Sequence, residues 1–345
     1  MKYIFYAYPM WKKVSFSLIA EKHVQQLRKY FNVETIDENT LPFIRGLFTP
    51  FVIVQPFFYP FQKYEKYLAK HLKRWKGLIG VDVADSNRIS SYAVRLTEYA
   101  SALIVPSSFS KNAFLNSGVK VPVHILPHGV DEQYINTPKI QPNSFKILEN
   151  LKQSKNMKIL VTYILHSDYR KGLDLLEKIY SKLRRERKDI ALAIKDLRGV
   201  RLKIDKEIRI FTGWLSEQDK MELFDLSDLF LLTSRGGGFE HPCLEAIARG
   251  VPAIGAEGGA WQDYMCKWML IPSKPSGTVL AGNSIHTGVG VEMIVDKAVD
   301  KIHCILDNLE EYRVKTREHV NTVVKKRFIW SQIGLQLRDI ILRYM

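Results

Sequence analysis

Short apolar, β-branched runs alternate with segments of helical spacing along nearly the whole chain, and the alternation starts twice. Tyr3–Tyr8, Phe31–Ile36, Phe51–Gln55, Gly77–Val83, Ala102–Pro106 and Val123–Leu126 read as strands. Phe16, Ile19, Ala20, His23, Val24 and Leu27 recur at helical spacing between the first two. Apolar runs this short and this continuous fit strands buried on both faces. Residues 132–155 then turn polar, with Pro138, Pro142 and Asn143, and read as a linker. The alternation resumes with Lys158–Leu165, Ile190–Ile194, Ile208–Phe211, Leu229–Thr233 and Pro252–Ala256 as strands. Leu173–Arg187, Glu217–Leu226 and Pro242–Arg249 are the helices between them. Residues 273–290 are rich in Gly and Ser and read as loop, and Val295–Leu309, Glu311–Lys326 and Ser331–Tyr344 as closing helices. Strands alternating with helices make a parallel, doubly wound sheet. The expectation is α/β with two such layers and a ligand cleft between them.

At 345 residues the chain is long enough for two domains. With 46% hydrophobic and 25% charged residues it is globular rather than disordered. No apolar run is long enough to span a membrane, and Met1–Pro9 lacks the basic start and cleavage site of a signal peptide. The net charge is +15, spread over both halves. It suits anionic partners: nucleic acid, phosphorylated substrates or an acidic membrane face. No helix-turn-helix, zinc-finger or RNP-type pattern accompanies it, so no nucleic-acid partner is expected. No strand ends in G-x-G-x-x-G, which disfavours a dinucleotide dehydrogenase. Cys243, Cys266 and Cys304 are too few and scattered for a disulfide framework or a zinc site, and a cytoplasmic setting follows.

The sharpest segment is Ser234-Arg235-Gly236-Gly237-Gly238-Phe239-Glu240-His241-Pro242-Cys243-Leu244-Glu245-Ala246, which follows a strand and opens a helix. Three glycines let a ligand reach backbone N–H groups, and the helix start favours phosphate. Glu240 and Glu245 can accept bonds from hydroxyls; the same pattern also fits a tight turn with capping acids. Glu257-Gly258-Gly259-Ala260 follows the next strand on the same sheet edge, where ligands of open α/β sheets bind; ordinary turn chemistry explains it equally. His166-Ser167-Asp168-Tyr169-Arg170-Lys171-Gly172 brings cations to that edge, either to hold a diphosphate or as a solvated basic turn. In Gln62–Lys76, Tyr64, Tyr67, Leu68, His71, Leu72 and Trp75 share one helical face, opposite Lys63, Lys66, Lys70, Lys73 and Arg74. That pattern fits a helix lying on an anionic membrane or one packed on a core with a solvated basic face. The preceding Pro56–Phe61 reads as an aromatic loop that lines an acceptor groove or enters a membrane interface.

Taken in order, these motifs resemble the signature of the family-4 retaining glycosyltransferases of the GT-B fold. Pro106–Lys111, Pro127–Asp131, Arg170–Gly172, Phe211–Ser216 and Phe328–Ile333 match alongside Ser234–Gly255. The resemblance holds from about residue 102 onward. It implies two Rossmann-like domains with parallel sheets facing a central cleft. Residues 1–135 would bind the acceptor, with helix 330–345 packing back on them, and residues 156–325 would bind the donor. The implied activity is retaining transfer of a hexose from a UDP- or GDP-sugar to a glycan, lipid-linked or other hydroxyl acceptor. The nucleotide sugar is a co-substrate, and no metal is expected. A sugar-nucleotide epimerase or a non-enzymatic polyanion binder are the rival readings.

By the same resemblance Glu245 binds the ribose, Lys171 the diphosphate, and backbone near Gly237, Gly238 and Phe239 meets the sugar and leaving group. Gly213 and Trp214 join the donor-binding set. The family pairs two glutamates separated by seven residues; here the first position is Gly237, and Glu240 either replaces the missing acid or is structural. The family's Gly-Arg pair is also absent, so Arg170 or His166 supplies the second phosphate contact. Asp82, after the run Leu78–Val81, either orients the acceptor hydroxyl or the sugar, or caps a helix or turn. Association with the inner face of the membrane through residues 62–76 is a further expectation.

Overall fold

The protein was analysed as a computed structural model that describes residues 3–44, 50–165, 167–197 and 207–345. The chain forms two compact units. The first comprises Met1–Gly129, Ala281–Gly288 and Arg327–Met345; the second comprises Val130–Leu280 and Val289–Lys326.

The first unit is built on β1 (Tyr3–Tyr8), β2 (Asn32–Asp37), β3 (Phe51–Val54), β4 (Gly77–Val81), β5 (Ala102–Val105) and β6 (Val123–Ile125). They form one parallel sheet in the order β2-β1-β3-β4-β5-β6. Successive residues of a strand point to opposite faces, and the core divides accordingly. Val52 and Val54 join Phe61, Leu68, Leu96 and Phe114 on one face. Phe51 and Ile53 join Ile19, Val24, Ile333 and Leu337 on the other. Both faces are therefore covered by helices, which is why the central strands β3, β4 and β5 read as unbroken apolar runs. The helix Trp330–Leu342 lies against Ser15–Leu27, and at Gly334 an added Cβ would come within 2.7 Å of the Gln26 Cβ.

The second unit carries β7 (Lys158–Ile164), β8 (Ile190–Asp196), β9 (Ile208–Phe211), β10 (Leu229–Leu232), β11 (Ala253–Ala256) and β12 (Leu270–Ile271). Their parallel order is β12-β11-β10-β7-β8-β9. From β7 the chain winds outward to β8 and β9, then returns to place β10 on the other side of β7. The crevice between the carboxyl ends of β7 and β10 is thus the topological switch point, where open α/β sheets bind ligands.

Three expectations change. Residues 132–155 are no bare linker: they hold the helices Gln133–Asn136 and Lys146–Lys155. The Glu222 carboxylate accepts from the backbone N–H groups of Asn143, Ser144 and Phe145 and fixes this segment to its unit. Within residues 273–290, β13 (Ser273–Thr278) pairs antiparallel with β14 (Val289–Met293). The aromatic stretch at 56–61 is largely the first turn of the helix Phe58–Leu72, with Phe57, Phe58 and Phe61 in the core. Of the two readings of residues 62–76, the one packed on the core is seen for Leu68 and for Trp75 just beyond the helix, both buried, while Tyr67 stays 62% exposed. Lys63, Lys66, Lys70, Lys73 and Arg74 point outward. Among the described residues no helix is long and apolar enough to cross a membrane.

Candidate active site

The site is assembled at the switch point of the second unit from the chain that leaves β7 and the chain that leaves β10. After β7 a single helical turn, Asp168–Lys171, ends at Gly172, whose φ is +71°. That conformation costs glycine little. It also needs the absent side chain: a Cβ at 172 would lie 2.0 Å from the Thr233 carbonyl oxygen. The two loops therefore touch backbone to backbone. The Arg235 N–H donates to the Arg170 carbonyl at 2.7 Å, and the Thr233 hydroxyl donates to the Lys171 carbonyl at 2.9 Å.

This stitching places Lys171 over the glycine turn. Its ammonium donates to both carboxylate oxygens of Glu240 at 2.7 Å. The side chains are 11% and 7% exposed. Glu240 is a non-glycine residue in the left-handed region, at φ +65°, a strained backbone of the kind that functional sites retain. Its carbonyl accepts from the Tyr264 hydroxyl at 3.0 Å. Its carboxylate folds back over Gly237, where an added Cβ would meet Oε1 at 2.2 Å. The Glu240 carboxylate therefore occupies the space that a side chain at position 237 would enter. Gly238 is buried, and the buried Phe239 ring packs on Tyr264 with centroids 5.1 Å apart. Arg170 is buried and donates to the Gly236 carbonyl at 3.1 Å. His166 lies outside the described residues.

Glu245, on the helix His241–Ala248, is also buried, and Lys220 donates to its Oε1 at 2.8 Å. Lys220 comes from the helix Glu217–Leu226 and also reaches Glu217 Oε1 at 2.8 Å, while His241 Nδ1 lies 3.4 Å from Glu245 Oε1. Tyr134 completes the group, donating to Glu217 at 2.7 Å. Burial pulls the Lys220 ammonium down, but Glu245 and Glu217 push harder and leave its pKa raised. Sequence reasoning missed Lys220, Glu217 and Tyr134. The signal was faint: one lysine facing inward on an otherwise acidic helix.

The remaining candidates stand apart. Gly213 and the 43%-exposed Trp214 follow β9, two strands from β7; the Gly213 carbonyl accepts from the buried Lys195 ammonium. The Gly258-Gly259 pair after β11 has a packing cause, because the Trp261 indole fills the place of a Gly259 side chain. Asp82 belongs to the first unit, 4% exposed, and accepts from the N–H groups of Phe58 and Val83 at 2.8 Å each. It therefore caps the start of helix Phe58–Leu72 from outside. Burial raises its pKa to about 7 despite those bonds.

The profile of the family described as Glycosyl transferases group 1 matches residues 146–286, which include Lys171, Lys220, Glu240 and Glu245. Uncharacterized protein 356 of Sulfolobus islandicus rod-shaped virus 1 is 35% identical over 359 aligned positions, covering 99% of each chain. A protein provisionally named glycosyltransferase 45, from Sulfolobus islandicus filamentous virus, is 25% identical over 72% of this chain and 73% of its own. Among solved structures, Anabaena HepE in complex with UDP and glucose superposes with a TM-score of 0.69 at 14% identity, covering 99% of this chain and all of that one. A relative this similar along the full length, a profile match covering those four residues and a shared two-sheet architecture give one answer: the chain belongs to the group 1 glycosyl transferases and is a glycosyltransferase with the GT-B fold.

Proposed function

We propose that the protein transfers a hexose from a nucleoside-diphosphate sugar to a hydroxyl acceptor with retention at the anomeric carbon. The observation that carries this reading is Lys171 paired with Glu240 above the Gly237 turn, at the switch point of the sheet. Breaking the glycosidic bond builds charge on the departing phosphate. Prearranged donors stabilise such charge best where water is excluded. Lys171 supplies a cation there, and the N–H groups of the turn 237–239 supply dipoles. Side-chain cations neutralise the diphosphate without a metal. Glu240 replaces the missing acid of the family pattern and contacts the sugar, and Glu245, steadied by Lys220, takes the ribose hydroxyls. HepE was solved with UDP and glucose, which supports a nucleotide sugar as donor. Asp82 is given a structural task. The exposed lysines of helix Phe58–Leu72 draw the protein to anionic lipid by charge alone, which suits an acceptor carried on a membrane.

The test is transfer from UDP-glucose and GDP-mannose to a panel of glycan and lipid-linked acceptors, with product stereochemistry read by proton NMR and a parallel reaction in chelator. Retained configuration, undiminished by chelator and lost in Lys171→Ala, is the expected result. An inverted product refutes the retaining reading, and full turnover in Lys171→Ala refutes the phosphate role.

A further inference from the structure

We propose that Glu240 is a displaceable counter-ion: the donor diphosphate takes Lys171 from it, and the freed carboxylate swings to the sugar hydroxyls. This rests on the donor reading above and adds what the pair does during the cycle.

Three observations converge. The Lys171 ammonium is held by both oxygens of one carboxylate and is almost closed off from solvent. That same carboxylate covers Gly237, which is buried beneath it, so the route to the turn and the route to the ammonium are blocked by one group. The backbone of Glu240 is anchored independently of its carboxylate, whose two oxygens accept from Lys171. The Tyr264 hydroxyl holds its carbonyl, and the neighbouring Phe239 packs on the Tyr264 ring. A carboxylate arm on a fixed backbone can turn without disturbing the loop.

A diphosphate seated against Lys171 with Glu240 unmoved would gather like charges around one ammonium in a dry site, which low dielectric makes costly. The carboxylate must therefore leave. With a complete donor it gains sugar hydroxyls as new partners. With a bare nucleoside diphosphate it gains nothing comparable. Glu240 thus favours the sugar-bearing donor over the spent product, and its return to Lys171 helps expel that product after transfer.

Calorimetric titration of the full chain tests this with UDP, GDP, UDP-glucose and GDP-mannose against wild type, Glu240→Gln, Glu240→Ala and Lys171→Met/Glu240→Gln, each first shown to melt cooperatively well above the titration temperature. Both single variants should bind the free nucleoside diphosphate about tenfold more tightly, a modest fraction of what close charge pairs measure. Their preference for the sugar-bearing form should shrink, and the double variant should show no tightening. A crystal soaked in the binding diphosphate should place the Glu240 carboxylate out of hydrogen-bond reach of Lys171. Equal or weaker binding in both single variants, or a pair still closed in that crystal, overturns the exchange while leaving the donor reading intact. If no nucleotide binds any of these proteins, the donor reading falls and the exchange with it.

Discussion

Replacing Lys220 by methionine isolates the charge arrangement behind Glu245. Glu245 is 3% exposed, and Lys220 contacts its Oε1 at 2.8 Å from an adjacent helix. Taking one partner from a buried pair strands the other charge, at a cost of about 3–5 kcal/mol. His241 remains 3.4 Å away and the Lys220 side chain is 14% exposed, so some relief is available. The lower end, about 3 kcal/mol, is the expected loss. For a unit of this size that corresponds to roughly 6–12 °C in melting temperature. Methionine keeps the volume of the lysine stem, so packing accounts for little of it. Two controls assign the cause. Lys220→Met/Glu245→Gln removes the stranded charge and should recover most of the loss. Acidification, which neutralises a stranded carboxylate, should narrow the gap between Lys220→Met and wild type. Calorimetry reports the melting point, and hydrogen exchange on the helix His241–Ala248 confirms that the second unit is the one affected. A loss under about 0.5 kcal/mol, the scale of an ordinary surface change, or a double variant no better than the single one, would refute the argument.

Two buried groups of the first unit should titrate against each other. Burial pulls the His23 imidazole down to about 4, so below an unfolded value of ~6.5 the unfolded chain takes a proton the folded one refuses, and stability is lost as pH falls. Burial raises Asp82 to about 7, so the folded chain keeps a proton the unfolded one releases above ~3.9, and stability is lost as pH rises. Between pH 5 and 6.5 the slopes oppose at ~1.4 kcal/mol per unit each; urea titrations should show His23→Gln gaining and Asp82→Asn losing stability on acidification, and parallel curves would reject both assignments. Reversing Lys66, Lys70 and Lys73 to glutamate should reduce sedimentation with anionic vesicles, and unchanged sedimentation would end the membrane reading.

Most strands were legible almost to the residue because the central ones, such as Phe51–Val54, Ala102–Val105 and Leu229–Leu232, are buried on both faces and so are apolar without interruption. Tyr3–Tyr8 and Ile208–Phe211 needed no correction at either end. What escaped was structure created by distant partners. Residues 143–145 look like loop because their order comes from Glu222, far along the chain. The hairpin of β13 and β14 is masked by its own glycines, serines and proline. At the site, Lys171 and Glu240 could each be named, but their contact could not. It depends on Gly172 letting two loops meet, and no pattern within either loop encodes that approach. Lys220 was unreadable for the same reason: its helix is ordinary until Glu245 is placed beside it.

Arg235, Lys220 and Lys171 all stand at this site, and their partners separate scaffold from ligand contact. Arg235 has the sequence position of a phosphate ligand, directly before the glycines, yet it faces inward. It donates to both oxygens of Asp174 at 2.6 and 2.7 Å, to Glu292 at 2.7 Å and to the Tyr169 carbonyl at 2.7 Å, with its guanidinium 4.1 Å from the Tyr169 ring centroid. Four of its N–H directions are committed, to groups on three different segments, so displacing it would loosen the site itself. Lys220 is divided between two carboxylates and serves to orient one of them. Lys171 differs in kind: its carboxylate partner rides on a strained residue beside glycines and can be exchanged without moving a helix or a strand. A cation meant to meet an incoming anion needs a counter-ion it can give up, and of the three this one alone is arranged that way.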